Sequence, residues 1–135
     1  MGKPMFASPP TTILLVEDEL MVRKMLLDVL HSQGYHVLEA INGQNALEIA
    51  RQPHQEKIDL LLTDVVMPKM NGLDLVRQFS PEFPETKIIL MSGYTEDPTF
   101  KDVKTQHNAE FIAKPFLPQA LKQKIEAILS RSASK

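Results

Sequence analysis

The segment LLTDVVMPKMNG at 61–72 carries one carboxylate, Asp64, at the end of an otherwise apolar run. A buried, unpaired charge is costly, so the rest of the chain has to supply compensation. Three other apolar runs also end on polar groups: Glu17 and Asp18 follow TILLV, Ser92 follows KIILM, and Lys114 follows EFIA. Together they offer three carboxylates, a hydroxyl and an ammonium. Brought to one place, the carboxylates repel one another, and a divalent cation together with Lys114 is the natural compensation. Mg2+ suits such a set, because it prefers hard oxygen ligands, takes one or two carboxylates and keeps positions for water and phosphoryl oxygens. Carboxylates act as nucleophiles in aspartyl-phosphate chemistry. Asp64 is therefore a candidate phosphoryl acceptor, with the cation and Lys114 neutralising the phosphoryl oxygens and the Ser92 hydroxyl bonding the attached group.

The elements that must position these residues follow from the pattern. Apolar runs at 12–16, 35–39, 58–64, 87–92 and 110–113 alternate with five helical stripes. Several runs are continuously apolar, which suits parallel strands covered on both faces. Val22, Leu26, Val29 and Leu30 form the first stripe, and Gly34 stands where the helix needs a left-handed terminating residue. Ala46, Leu47 and Ala50 follow a predicted Asn42-Gly43 turn. Leu73, Val76 and Phe79 form the third stripe, and Leu121, Ile125, Ile128 and Leu129 the fifth. The fourth helix opens on Asp97-Pro98, a good cap and first turn, with only Phe100 and Val103 on its apolar side. Met67, Pro68 and Met70 read as loop packing, and Gly72 as allowing the turn.

This alternation predicts an α/β fold: a flavodoxin-like (βα)5 three-layer sandwich whose parallel sheet runs in the order 2-1-3-4-5. Its ligand site lies beyond the carboxyl ends of the strands. Strands 1, 3, 4 and 5 are neighbours in that order, so Glu17, Asp18, Asp64, Ser92 and Lys114 are expected on one rim.

Composition bounds the remaining possibilities. The chain has 135 residues, 43% of them hydrophobic and 24% charged, which is enough for one domain with a real core. Residues 11–130 are read as that domain. Residues 1–10, with Pro4, Pro9 and Pro10, read as a flexible linker or an expression remnant, and 131–135 as a tail. A net charge of -2 leaves no general footprint for nucleic acid or an anionic membrane. There is no cysteine, which excludes disulfides and thiolate metal sites. No run approaches the roughly 18 apolar residues of a membrane span, and a cytoplasmic location is expected. His31, His36, His54 and His107 lack metal-ligand spacing and read as solvated.

Four motifs in consistent order, ILLVEDE at 13–19, TDVVMPKMNG at 63–72, MSGYTED at 91–97 and FIAKPF at 111–116, resemble the receiver domain of two-component response regulators. MSGYTED also resembles receivers attached to hybrid sensor histidine kinases. The resemblance implies that Asp64 is the phosphoacceptor, that Asp18 contacts Mg2+ directly and Glu17 through water, and that the backbone carbonyl of Val66 is a further metal ligand. It makes Ser92 the switch hydroxyl, Phe111 the switch aromatic, and Lys114 the site lysine preceding a cis proline, Pro115. Histidine kinases or phosphotransfer domains are the implied partners, with self-association through helix 4, strand 5 and helix 5. Two departures stand out: Phe111 replaces a tyrosine and so lacks its hydroxyl, and Asn108 stands where glycine is common, asparagine being the next best left-handed residue.

Two other classes fit the sequence less well. An aspartate-dependent phosphatase needs a general acid two residues after its nucleophile, where this chain has Val66. A flavodoxin-type flavin module needs a hydroxyl- and glycine-rich phosphate loop after the first strand, where Glu17-Asp18-Glu19 would repel a phosphate lacking a metal. The receiver is expected to be no enzyme beyond its own phosphorylation and slow dephosphorylation. It reads either as a stand-alone protein or as a piece of a longer hybrid kinase, without room for a DNA-binding output domain.

Overall fold

Parallel strands buried on both faces need apolar side chains at every position, and the central strands have them. In the computed structural model, which describes residues 10–93 and 98–130, the chain runs β1 (Thr12–Val16), α1 (Leu20–Ser32), β2 (His36–Ala40), α2 (Gly43–Ala50), β3 (Leu60–Asp64), α3 (Gly72–Glu82), β4 (Lys87–Ser92), α4 (Pro98–His107), β5 (Ala109–Ala113) and α5 (Pro118–Ser130). All strand pairs are parallel, in the order β2-β1-β3-β4-β5. Residues alternate between faces along each strand. Leu14, Val16, Leu61, Ile88 and Leu90 pack with the apolar sides of α2 and α3 and with Val103 of α4. Ile13, Leu15, Leu60, Leu62, Ile89 and Met91 pack with Leu26 and Leu30 of α1 and Leu121, Ile125 and Ile128 of α5.

The limits of β1 and β4 match the apolar runs. The other three strands differ for local reasons. β2 begins at His36 rather than Tyr35, because Gly34 (φ 91°) closes α1 and the His36 N–H makes the entry bond to Thr11 O at 2.9 Å. β3 begins at Leu60 rather than Ile58: Ile58 is buried, but Asp59 bonds Thr12 through both its backbone N–H and its Oδ2 ahead of the ladder. β5 begins at Ala109, because Asn108, at φ 54°, turns the chain out of α4 in a single residue. Asn42 and Gly43 form a helix start rather than a free turn. The Asn42 side chain accepts from Asn45 N at 2.8 Å, and Asn45 Oδ1 accepts from Ile41 N in return, a reciprocal cap. The expected Asp97 cap of α4 lies outside the described residues, as do Tyr94 to Glu96 of its motif.

Gly72 does something other than allow a turn. It is the first residue of α3, its N–H donates to Val65 O at 2.7 Å, and a Cβ there would lie 2.3 Å from the backbone oxygen of Asp64. The start of α3 is thus pressed directly against the residue that ends β3. Gly72→Ala is expected to lower unfolding free energy by about 2 kcal/mol or more, since backbone rather than a flexible side chain must give way. A urea midpoint equal to that of the wild type would contradict this close approach.

Candidate functional site

The carboxyl ends of β1 and β3 are neighbours, so the residues that leave them share one rim. Glu17 follows β1 and is 2% exposed, whereas Asp18 next to it is exposed. Asp64 ends β3 and is buried. Carboxylate oxygens from these three residues lie within 4.8 Å of one another. Lys114, at the end of β5, reaches across: its Nζ is 3.1 Å from Asp64 Oδ1 and 3.7 Å from Glu17 Oε1. The Lys114–Pro115 peptide bond is cis.

The two oxygens of the Glu17 carboxylate differ in their surroundings. Oε2 accepts the Glu19 N–H at 3.1 Å, while Oε1 is buried without a hydrogen-bond partner. A buried oxygen of that kind, beside two further carboxylates and the Lys114 ammonium, fits a hard divalent cation, and a proton in its absence. Burial is the main reason the Glu17 carboxyl is pushed up from 4.5 to about 7; the Glu19 N–H opposes this, and the charge of Asp64 adds to it.

That shift has a sign. Between pH 4.5 and about 7 the folded chain holds a proton on Glu17 that the unfolded chain has released. The corresponding stability is fully present below 4.5 and is lost as pH rises through about 7. With a chelator present, unfolding free energy at pH 8 is therefore expected to be lower than at pH 5.5, by at most about 2 kcal/mol. Mg2+ is expected to restore it most at the higher pH. Urea midpoints at the two pH values, with EDTA and with Mg2+, measure this; a midpoint that rises with pH in EDTA would contradict the crowding of charges at Glu17.

Ser92 and Phe111 sit on the next two strands. Asp64 pairs with Met91, so Ser92 stands one residue further along β4. The register Leu90↔Phe111 and Ser92↔Ala113 makes Ser92 and Phe111 diagonal neighbours, and strand alternation gives them the same face of the sheet, toward α4. Ser92 is buried and its backbone oxygen accepts the Lys114 N–H at 2.9 Å, which ties the end of β4 to the lysine. Phe111 is half-buried against the α2–α3–α4 side of the core. Val66 lies in the loop that leaves β3, with its side chain 69% exposed. It supplies no acid beside Asp64.

Two features of the site are absent from the sequence reading. Lys69 adopts φ 69° in the loop after Asp64, a left-handed conformation that a lysine does not announce. Arg23, on the first turns of α1, donates from Nη1 to the Glu17 carbonyl at 2.8 Å and pairs through Nε with Glu39 at 3.2 Å. The only signal for Arg23 in the sequence is the opposite charge of Glu39 near the end of the next strand. An apolar groove of about 400 Å3, lined by Val22, Met25, Leu26, Pro115 and Phe116, opens beside Lys114.

The sequence model of the response regulator receiver domain matches residues 13–126. Sensor kinase CckA of Brucella abortus is 38% identical over 124 residues, which are 92% of this chain and 13% of the kinase. The chain thus spans a small part of that relative. The response regulator receiver protein CpdR of the same organism is 36% identical over 117 residues, covering 87% of this chain and 95% of CpdR. Among solved structures, the chemotaxis protein CheY4 of Vibrio cholerae superposes with a TM-score of 0.80 at 27% identity, over 89% of this chain and 99% of that one.

Proposed function

This chain belongs to the response regulator receiver domain family, and from that membership we propose a role for each group on the rim, with residues 11–130 as the receiver unit. The chain is a phosphoryl-accepting signalling domain of a two-component system. In the proposed assignment Asp64 is the acceptor. One of its carboxylate oxygens attacks the phosphorus of a phosphohistidine on a histidine kinase or phosphotransfer domain. The P–O bond forms as the P–N bond breaks, and the imidazole nitrogen keeps the electron pair and takes a proton from solvent. Lys114 balances the charge carried by the phosphoryl oxygens. The observation that carries the assignment is the placement of Lys114 Nζ within ion-pair distance of both Asp64 and Glu17, beside the orphaned Glu17 Oε1.

Glu17, Asp18, Asp64 and the Val66 carbonyl are the groups that would hold Mg2+. When bound there, the ion supplies positive charge to the phosphoryl oxygens at a site that otherwise has three carboxylates and one nearby ammonium. Apart from accepting and slowly hydrolysing its own phosphoryl group, the domain acts on no substrate.

The attached group adds a charge of about -1.5 to -2 at the end of β3. It would draw the Ser92 hydroxyl toward it, and Phe111, the diagonal neighbour on β5, would fill the space released. The face so altered is made by α4, β5 and α5. Glu110 on β5 joins the two helices, since its Oε1 is 3.9 Å from Lys104 Nζ and 4.0 Å from Lys124 Nζ. Both distances are long and both lysines are substantially exposed, so these pairs contribute little and can be exchanged at small cost. This face is the proposed site of self-association or output contact, in the cytoplasm. The test is phosphoryl uptake from acetyl phosphate, followed by intact mass: uptake should require Mg2+ and be lost in EDTA. Uptake that ignores the chelator would remove the metal from the account.

A further inference from the structure

We infer that Arg23 is a positioning residue for the carboxylate cluster: it clamps the loop that carries Glu17 and Asp18 and thereby sets the affinity of the rim for its divalent ion. The inference rests on the phosphoacceptor reading of that rim.

Two of the three clustered carboxylates belong to residues 17 and 18, in the short connection between β1 and α1. Like charges this close repel, and before any ion arrives something must hold that connection against Asp64. The start of α1 does not hold itself, because the N-cap residue, Glu19, makes no side-chain capping bond and the first turn has no acidic residue. Beyond the first helical bond of α1, from Arg23 N–H to Glu19 O at 2.9 Å, three hydrogen bonds fix the connection. Glu17 N–H donates to Ala40 O at 3.2 Å, Glu19 N–H donates to Glu17 Oε2 at 3.1 Å, and Arg23 Nη1 donates to Glu17 O at 2.8 Å.

Arg23 supplies the shortest of these and the one that comes from a distant side chain. It also ties two strand ends together, because Glu39, its ion-pair partner, is the neighbour of Ala40 on β2, which holds the Glu17 N–H. Glu17 is therefore fixed at both its N–H and its carbonyl to the end of β2, directly on one side and through Arg23 on the other. The Arg23 side chain is only 12% exposed, while that of Glu39 is 43% exposed. A half-solvated carboxylate partner adds little energy by itself, so the contact that matters is the charge-assisted bond to the Glu17 carbonyl. Without it, the Glu17 carbonyl loses its tether and repulsion from Asp64 is opposed only by Lys114 and the two longer hydrogen bonds, so a cation would have to reassemble its ligands on binding. Outer partners that orient metal ligands typically change metal affinity by about 10- to 100-fold when removed.

The test is a calorimetric Mg2+ titration of the full chain at one pH, with thermal midpoints of the metal-free proteins measured alongside. Arg23→Ala is expected to weaken Mg2+ binding by about tenfold or more. Arg23→Lys, which keeps the charge but cannot span both partners, should fall between that variant and the wild type. Glu39→Gln, which spares the Glu17 contact, should change the Mg2+ Kd by no more than a few-fold. A lowered thermal midpoint with an unchanged Mg2+ Kd in both Arg23 variants would show a merely structural role and overturn the inference. Equal weakening by Glu39→Gln and Arg23→Ala would overturn it too, by placing the effect in the surface ion pair. If Arg23→Ala does not fold, Arg23→Lys and Glu39→Gln carry the same comparison. A wild-type chain that binds no Mg2+ would overturn the site assignment itself, an outcome distinct from wild-type binding that Arg23 fails to influence.

Discussion

Replacing Asp64 by asparagine is expected to abolish phosphoryl uptake while leaving the fold intact. The two side chains are nearly isosteric, and the ion pair that Asp64 makes with Lys114, at 3.1 Å, can be replaced by a neutral hydrogen bond from Lys114 to the amide oxygen. The amide cannot form an acyl phosphate, and the other carboxylate near the ammonium, that of Glu17, lies further from it, at 3.7 Å against 3.1 Å for Asp64. Mg2+ binding should weaken by an order of magnitude or more, since one of three clustered carboxylates loses its charge. Intact-mass measurement after exposure to acetyl phosphate and Mg2+ reads the first effect, and calorimetry the second. Phosphoryl uptake equal to that of the wild type would place the acceptor elsewhere.

Lys114→Met carries the second largest effect. The methionine preserves most of the apolar stem against Pro115 and Phe116 but removes the cation that lies against both Asp64 and Glu17. Phosphoryl transfer depends on groups already in place to meet charge on the transferring oxygens, and removing one such group typically costs about 100- to 1000-fold in rate. The rate of uptake at saturating Mg2+ should fall on that scale. Because the ion still supplies part of the positive charge, uptake should be slow rather than absent. A rate within a few-fold of the wild type would show that Lys114 only pairs with Asp64 in the resting protein.

The sheet was legible because parallel strands covered on both faces demand runs such as ILLV and KIILM, which few other structures use. Strand order followed from the alternation of strands and helices, and with it the convergence of Glu17, Asp18, Asp64 and Lys114. Strand ends were less legible where local hydrogen bonds take over from the ladder. Ile58 is apolar and buried yet lies outside β3, because Asp59 bonds Thr12 in its own way. Burial and strand membership are different properties, and an apolar run reports only the first.

At the site, the charged residues of the rim could be placed together from sequence, whereas those that work by contact with the backbone could not. Gly72 reads as a turn glycine, but what excludes a side chain there is the backbone of Asp64, a residue on another element. Gly43 is similar: a Cβ would meet Met70 Sδ at 2.8 Å, so the helix-starting glycine and the loop methionine are a packed pair. Arg23 looks like one more cation on the wet side of an amphipathic helix. Its function depends on the Glu17 carbonyl, and a backbone acceptor leaves no trace in the residue types.

The site of phosphoryl attachment decides between Asp64 and every other group on the rim. The direct measurement is to treat the chain with acetyl phosphate and Mg2+, reduce the product with borohydride, which converts an aspartyl phosphate to homoserine, and map the modified residue by peptide sequencing. Homoserine at position 64 alone, absent when Mg2+ is withheld, is the predicted result. Modification at Glu17 or Asp18, or a stable phosphate on Ser92 or a histidine with Asp64 unchanged, would contradict it.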